Sequence, residues 1–468
     1  MKSGSPPVRD KANEGTILLS AFACSPDGRS GMGTGEDVLG WNIVEQVAER
    51  HALCLLTHPA NRPGIERRRM ETPLKQLRVK YVRVPKCFDV LLRWQGTFQV
   101  YAYLWQIWAY AEARRLAEQV PIRLFHHVTY ANDWMASYIG AFLKLPYVRG
   151  PCGGAQQVPK PFRSEFSRRD QFWERFRAIG QVVLRLDPVF VKSQNRASAI
   201  LVCNQESLEA MRPRWRHKVR YFPVNGVSES EVAAGLQDGG PHTGFRVLSA
   251  GKLIHWKGFG LVIRSFATFA ATVPEARLII VGDGPELPRL RALAEALGCL
   301  NQIEFAGWAA RTEAGQRMRE ADVFLHLSLR EGGGAVVLEA MAAGKPVVCL
   351  DMGGPALHVT DECGIKIPPH SPDQAVHDAA SALRALYSDP EARGRLGAAA
   401  RRRTEEMYCW DHLGDELMRI YQAIENGRQM GGMKRTTPAL PKRWLPLRPR
   451  LAGGTGPCGF SPPFKTAP

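Results

Sequence analysis

Twice along this chain, short runs of β-branched and other apolar residues alternate with longer amphipathic segments. That alternation is the pattern of parallel β-sheets covered on both faces by helices, because each parallel strand pair needs a crossover of a dozen or more residues. The first cycle predicts strands at TILLSAFAC from Thr16, HALCLLTH, RVKYVRV, RLFHHVT, PYVRG, AILVCN and VRYFPV. The second restarts at FRVLSAG from Phe245 and runs through ARLIIVGDG, NQIEFAGW, DVFLHLSL and KPVVCLD. A chain of 468 residues exceeds one compact core, so two α/β, Rossmann-like doubly wound domains facing an interdomain cleft are expected. The predicted limits are a flexible N-terminus at 1–14, a first domain at 15–225, a polar, glycine-rich linker at 226–244 and a second domain at 245–408. A helix at 409–426 is expected to return and brace the first domain, ahead of a disordered basic tail at 427–468 with 8 prolines and 7 glycines in 42 residues.

Charge must be located before it is interpreted. The formal +17 includes eight basic residues after Glu425 and no acidic ones, leaving 17 − 8 = +9 for the rest, so nucleic acid is not an expected partner. Ten cysteines stand singly, with no pair at zinc or redox spacing, which fits a reducing, cytoplasmic setting. The opening residues lack the apolar core of a secretory signal, and the longest apolar stretch, from Thr97, is interrupted by Gln99 and Gln106. That stretch, Phe98 to Tyr110, reads as a buried helix or, where exposed, an interfacial one.

Ligands of open parallel sheets bind beyond the carboxyl ends of the strands. There, SLREGGGAVVLEAMAAGKPVV places Glu331 and Glu339 on either side of Gly332, Gly333 and Gly334. The glycines admit a close ligand, and the following helix offers free amides and a positive dipole end to a phosphate. Glu339 lies roughly 7.5 Å along that helix, about a phosphate-to-ribose span. In FRVLSAGKLIHWKGFG, Gly251 and Lys252 follow a strand and Lys257 opens the next helix, where a cation opposes the dipole and needs free exposure to water or a compensating anion such as a bound diphosphate. The VGDGPE turn and the FAG strand ending at Gly307 line the same edge.

Through these motifs, residues 245 to 425 resemble the family 4 glycosyltransferases, retaining enzymes of the GT-B fold that use nucleotide sugars. The resemblance implies that Lys252 and Lys257 hold the donor diphosphate, Glu331 the sugar hydroxyls and Glu339 the ribose, with Gly251, Gly307, Gly333 and Gly334 around them. The pattern departs where Lys252 replaces the usual arginine, Gly333 an aromatic and Ala356 a glutamate. The loop CSPDGRSGMGTGEDVLGW resembles an exopolysaccharide-type variant of the first-domain loop, and implies that Gly33 and Gly35 approach the donor phosphates. His126 and His127 end a strand near where the family keeps a histidine facing the reacting sugar, and His127 is the favoured match. RGPCGGAQQVPKPF is expected to border the acceptor.

The implied activity moves a hexosyl unit from a UDP- or GDP-sugar to a hydroxyl of a glycan or polyprenyl-diphosphate-linked saccharide, with no obligatory metal and no cofactor. Peripheral contact with the inner membrane face follows from the same resemblance. A sugar phosphorylase, a nucleotide-sugar epimerase or a non-catalytic binding relative would share most of the motifs.

Overall fold

The computed structural model describes residues 15–427, apart from 32–33, 93–97, 236–239 and 241. The expected 1–14 arm and the 428–468 part of the expected tail lie outside the described residues.

Two parallel sheets are present. The first contains β1 (Thr16–Ser20), β2 (Leu53–Thr57), β3 (Leu77–Tyr81), β4 (Ile122–His127), β5 (Tyr147–Cys152), β6 (Ala199–Val202) and β7 (Val219–Tyr221) in the order β3-β2-β1-β4-β5-β6-β7. The second contains β8 (Arg246–Ala250), β9 (Arg277–Val281), β10 (Ile303–Gly307), β11 (Val323–His326), β12 (Val347–Leu350) and β13 (Gly364–Ile367) in the order β10-β9-β8-β11-β12-β13. The α/β doubly wound class is therefore the one the alternation predicts. Twelve of these strands fall on predicted runs; the GIKI segment of β13 does not, because a four-residue edge strand with half-buried Ile365 and Lys366 lacks a continuous apolar run.

Burial on both faces explains the unbroken apolar strands. Ile17 and Leu19 of β1 pack with Leu53, Leu55 and Leu124 on one face, and Leu18 packs with Cys54, Leu56 and Phe125 on the other. In the second sheet Val247 and Leu248 of β8 divide in the same way.

Strand order reverses between β1 and β4 and between β8 and β11. The loops after these four strands therefore splay apart and open a crevice at each carboxyl edge. Two chain passages join the halves side by side: Val227 N donates to Tyr408 O at 2.9 Å, and Trp410 N to Val227 O at 3.1 Å. Within the linker stretch, Glu229–Gly235 is helical, and Val232 joins the core cluster of the second sheet.

The helix Trp410–Glu425 crosses back to the first sheet. Leu413, Leu417, Ile420 and Tyr421 are at most 2% exposed and pack with Ile17, Leu19 and Leu124. Tyr421 OH lies 2.5 Å from His126 Nδ1, and Arg123 reaches Glu425 at 2.7 Å. In the opposite direction, Val158, Phe162 and Phe166, which follow β5, join the core cluster of the second sheet.

Candidate functional site

The loops after β8 and β11 meet at the reversal of the second sheet and bring the two charged motifs together. Lys257 closes a short 3-10 turn, His255–Lys257, and is followed by Gly258 at φ 69°. A β-carbon at Gly258 would lie 2.0 Å from Leu327 O, so the two loops can approach this closely only around a glycine. The approach delivers Lys257 Nζ to Glu331 Oε2 in a short ion pair.

Glu331 is anchored on every side. Its Oε1 accepts from Gly334 N at 3.3 Å, and His326 Nε2 lies 3.4 Å from Oε2. Burial acts to raise its pKa, but Lys257 and His326 overcome it and hold the carboxyl well below the usual range. At the helix start Lys257 is thus compensated by Glu331, a group of the chain itself, where the sequence pointed to a bound diphosphate or to water. Lys252 follows β8 and is exposed, so the two lysines differ: one is tethered, the other projects into solvent.

Gly334, at φ 65°, precedes the helix Ala335–Ala342, which carries Glu339. Glu339 faces Arg311 Nη2 at 3.4 Å, and the same guanidinium reaches Glu231 Oε1 at 2.5 Å. Burial, only partly opposed by Arg311, raises the Glu339 pKa. Arg311 opens the helix Arg311–Glu320 and was not singled out in the sequence, where nothing local links it to Glu339.

The departure at Gly333 has a physical cause. A β-carbon there would lie 2.1 Å from Val224 Cγ2 and 2.3 Å from Asn225 Nδ2, so the segment after β7 occupies the space a side chain would need. Neighbouring contacts hold the same backbone: Asn204 Nδ2 donates to Gly332 O at 3.0 Å, and His358 Nε2 lies 2.5 Å from Gly333 O. With its amide oriented to satisfy both neighbours, Asn225 accepts from Ala335 N at 3.2 Å. Ala356 is buried in the helix Pro355–His358, and Gly353 N donates to Glu206 Oε1 at 2.8 Å. Two residues that sequence reasoning missed, His326 and His358, therefore position Glu331 and Gly333.

The remaining predicted residues lie apart from this pair. Gly251 follows β8 and Gly307 ends β10, and Gly282 N donates to Gly307 O at 2.7 Å, tying the edges after β9 and β10 together. Gly33 lies outside the described residues, while Gly35 is exposed in the first turn of the helix Thr34–Arg50. His126 is buried between Tyr421 OH and Gly150 O, the latter at 2.7 Å from Nε2. His127 is 2% exposed, and burial followed by Arg149 lowers its pKa to about 3, keeping the ring neutral. Among the described residues, no hydrogen bond or ion pair joins either histidine to Lys252, Lys257 or Glu331. Three carboxyls follow β1 and β4 of the first sheet: half-buried Glu36, which accepts from Tyr130 N at 3.1 Å; buried Asp37, held by Ser30 Oγ at 2.6 Å; and buried Asp133, held by Ser207 Oγ at 2.6 Å.

Among the described residues no group of three or more His, Cys, Asp or Glu side chains is arranged to hold a metal, and no helix is long and apolar enough to cross a membrane.

Comparison with known proteins shows what part of this chain is similar to. Residues 237–403 match the family model described as Glycosyl transferases group 1. An uncharacterized glycosyltransferase of Methanocaldococcus jannaschii is 25% identical over 311 residues, covering 64% of this chain and 75% of that protein. LpsD, a lipopolysaccharide core biosynthesis glycosyltransferase of Rhizobium meliloti, is 33% identical over 158 residues, 34% of this chain and 43% of its own length. In overall fold, Anabaena HepE, solved in complex with UDP and glucose, superposes with a TM-score of 0.54 at 17% identity, over 88% of this chain and 100% of that one. The chain thus carries a Glycosyl transferases group 1 domain over residues 237–403, on the two-sheet GT-B fold of the transferase enzymes it resembles.

Proposed function

We propose that the chain is a retaining, metal-independent glycosyltransferase of the family 4, exopolysaccharide type. It moves a hexosyl unit from a UDP- or GDP-sugar to a hydroxyl of a lipid-linked saccharide or glycan in cell-surface polysaccharide synthesis. The observation that carries this reading is the Lys257–Glu331 pair at the reversal point of the second sheet, with Glu339 on the helix that follows.

In this reading the donor diphosphate meets Lys257 and Lys252 as negative charge gathers on it during departure of the sugar. Lys257 has three donors and Glu331 engages one, which leaves two for phosphate oxygens. Charge stabilisation of this kind is worth the most when the donors are already fixed, and the Glu331 tether fixes Lys257. Glu331, kept ionised, accepts sugar hydroxyls through its remaining lone pairs, and Glu339 accepts from the ribose. The acceptor hydroxyl attacks from the leaving-group face, and the donor phosphate takes its proton. Lysines supply the positive charge that a divalent cation supplies elsewhere, so excess chelator should leave turnover unchanged.

The transferases among the relatives favour transfer over phosphorolysis or epimerisation, and LpsD, whose name places it in lipopolysaccharide core biosynthesis, favours a lipid-linked acceptor. Calorimetric titration with UDP, GDP and ADP, on wild type and Glu339→Ala, tests the donor site. One nucleotide should bind selectively, and the variant should weaken it by about 10–100-fold, the loss expected when a charged hydrogen-bond acceptor of about 1.5–3 kcal/mol is removed. Equal affinity in both proteins would remove Glu339 from the site.

A further inference from the structure

A surface helix ordinarily turns its apolar stripe to the core and its charges to water. The helix Arg168–Leu184 does the reverse. Its inner face is polar: Glu174 pairs with Arg330 at 2.5 Å, Arg177 Nη2 donates to Gln156 O at 2.9 Å, and Gln181 Nε2 donates to Gly154 O at 2.9 Å. Its outer face is apolar. Phe172 is 62% exposed, Phe176 61%, Ile179 65% and Val183 59%, a stripe at helical spacing, with Trp173 and Leu186 beside it.

Eight of the sixteen large apolar side chains exposed among the described residues lie between Phe172 and Leu186, so this is a patch and not scatter. Its three aromatics alone leave on the order of 300 Å² of apolar surface to solvent, comparable to the largest patches of soluble monomers. The patch extends toward the helix Phe98–Gln119: Tyr103 OH donates to Asp187 at 2.7 Å, and Val100 and Ile107, on the same helix face as Tyr103, are 49% and 38% exposed.

The charges around the stripe choose the occupant. Arg168, Arg169 and Arg175 are exposed beside it, whereas the acidic residues nearby are engaged: Glu165 by Arg264 at 2.6 Å, Glu174 by Arg330, and Asp170 by His255 at 3.5 Å. What remains unpaired is positive. A second copy docked on the stripe would bring these arginines to a rim whose carboxylates are already engaged within each copy. An anionic bilayer offers apolar chains to the stripe and phosphates to the arginines at one depth.

We infer that Arg168–Leu186 is a lipid-docking element that lies in the interface of an anionic membrane and seats the cleft against it. The polar inner face grips the Gly154–Gln157 loop and, through Arg330, the residue adjoining Glu331. A lipid-linked acceptor would thus reach the cleft along the bilayer plane. The inference extends the proposed function, but it stands on this surface and is tested without any sugar donor.

The test is co-sedimentation of the full chain with vesicles of phosphatidylglycerol and phosphatidylcholine, compared with phosphatidylcholine alone, with amide exchange of the bound protein. The wild type should bind only the anionic vesicles, lose binding at high salt and gain amide protection over 168–186. The triple variants Phe172→Ser/Phe176→Ser/Ile179→Ser and Arg168→Gln/Arg169→Gln/Arg175→Gln should each bind at least tenfold more weakly while melting no lower than wild type, because the altered side chains are exposed. Three results would overturn the proposal: a wild type that ignores vesicles, protection that appears elsewhere but not over 168–186, or a wild-type dimer that the serine variant turns into monomers.

Discussion

Buried carboxylates at the two crevices are held by different means. Beside the second sheet, cations surround them: Glu331 has Lys257 and His326, and Glu174 has Arg330, Arg177 and His255. Burial would raise Glu174, but those partners lower it to about 2. Beside the first sheet, Glu36, Asp37 and Asp133 accept from backbone amides and hydroxyls, and burial carries them to about 7, 6 and 7. Hydrogen bonds to Glu36 and Asp37, and for Asp133 the added attraction of Arg149 and Arg185, oppose the loss of water without overcoming it, whereas the direct ion pairs of Glu331 and Glu174 do overcome it. Glu331 and Glu174 are consequently fixed charges, whereas Glu36, Asp37 and Asp133 exchange protons near neutrality, and Glu339, raised by burial despite Arg311, departs from its neighbours at the second crevice.

Breaking a charged pair tests this contrast most severely. Lys257→Met should lower turnover by about 100–1,000-fold, the scale of losing one transition-state donor. It should also destabilise the protein by on the order of 3 kcal/mol, since Glu331 is left buried without its counter-ion. Adding Glu331→Gln should restore the melting temperature but not turnover, which separates the structural from the chemical role of the pair. If turnover returned as well, Lys257 would be a scaffold residue only.

Proton linkage gives the next effect, with opposite signs for Glu36 and Glu174. Glu36 binds its proton more tightly when folded, so its favourable contribution is complete below the unfolded value near 4.5 and disappears as pH rises through about 7. The melting temperature should therefore fall between about pH 4.5 and 7, and Glu36→Gln should recover on the order of 3 kcal/mol at pH 8 and almost nothing below about pH 4. Glu174 acts the other way: its contribution is present above about 4.5 and is lost as pH falls toward 2. Glu174→Gln should cost stability at pH 7 and none near pH 2, measured by denaturant titration.

The smallest effect sharpens the reason for Gly333. Gly333→Ala should cost about 1–3 kcal/mol, the range for overpacking, because Val224 and Asn225 must move. Val224→Ala in the same chain should recover part of that loss.

These contrasts show what the sequence could disclose. Alternating apolar runs placed twelve strands, and the glycines with Glu331, Glu339 and Lys257 marked one sheet edge, because strand period and loop composition are local properties. The Glu331 tether to Lys257 spans 74 positions, and Arg311 meets Glu339 only through the packing of two helices, so no local pattern announces either. The outward stripe of Arg168–Leu184 is visible as a periodicity, but which face turns inward depends on Arg330 and the Gly154 carbonyl, both remote in sequence.

The returning helix Trp410–Glu425 also has a consequence for biosynthesis. The first sheet is complete once Tyr221 has been made, yet the surface receiving Leu413, Leu417, Ile420 and Tyr421 stays bare until about 190 further residues have been translated. At typical rates of 5–20 residues per second, that is about 10–40 s during which an apolar groove over Ile17, Leu19 and Leu124 lies open on the ribosome. The nascent first half is thus a natural client for holding chaperones, and a message truncated before codon 410 would yield a product with that groove permanently uncovered.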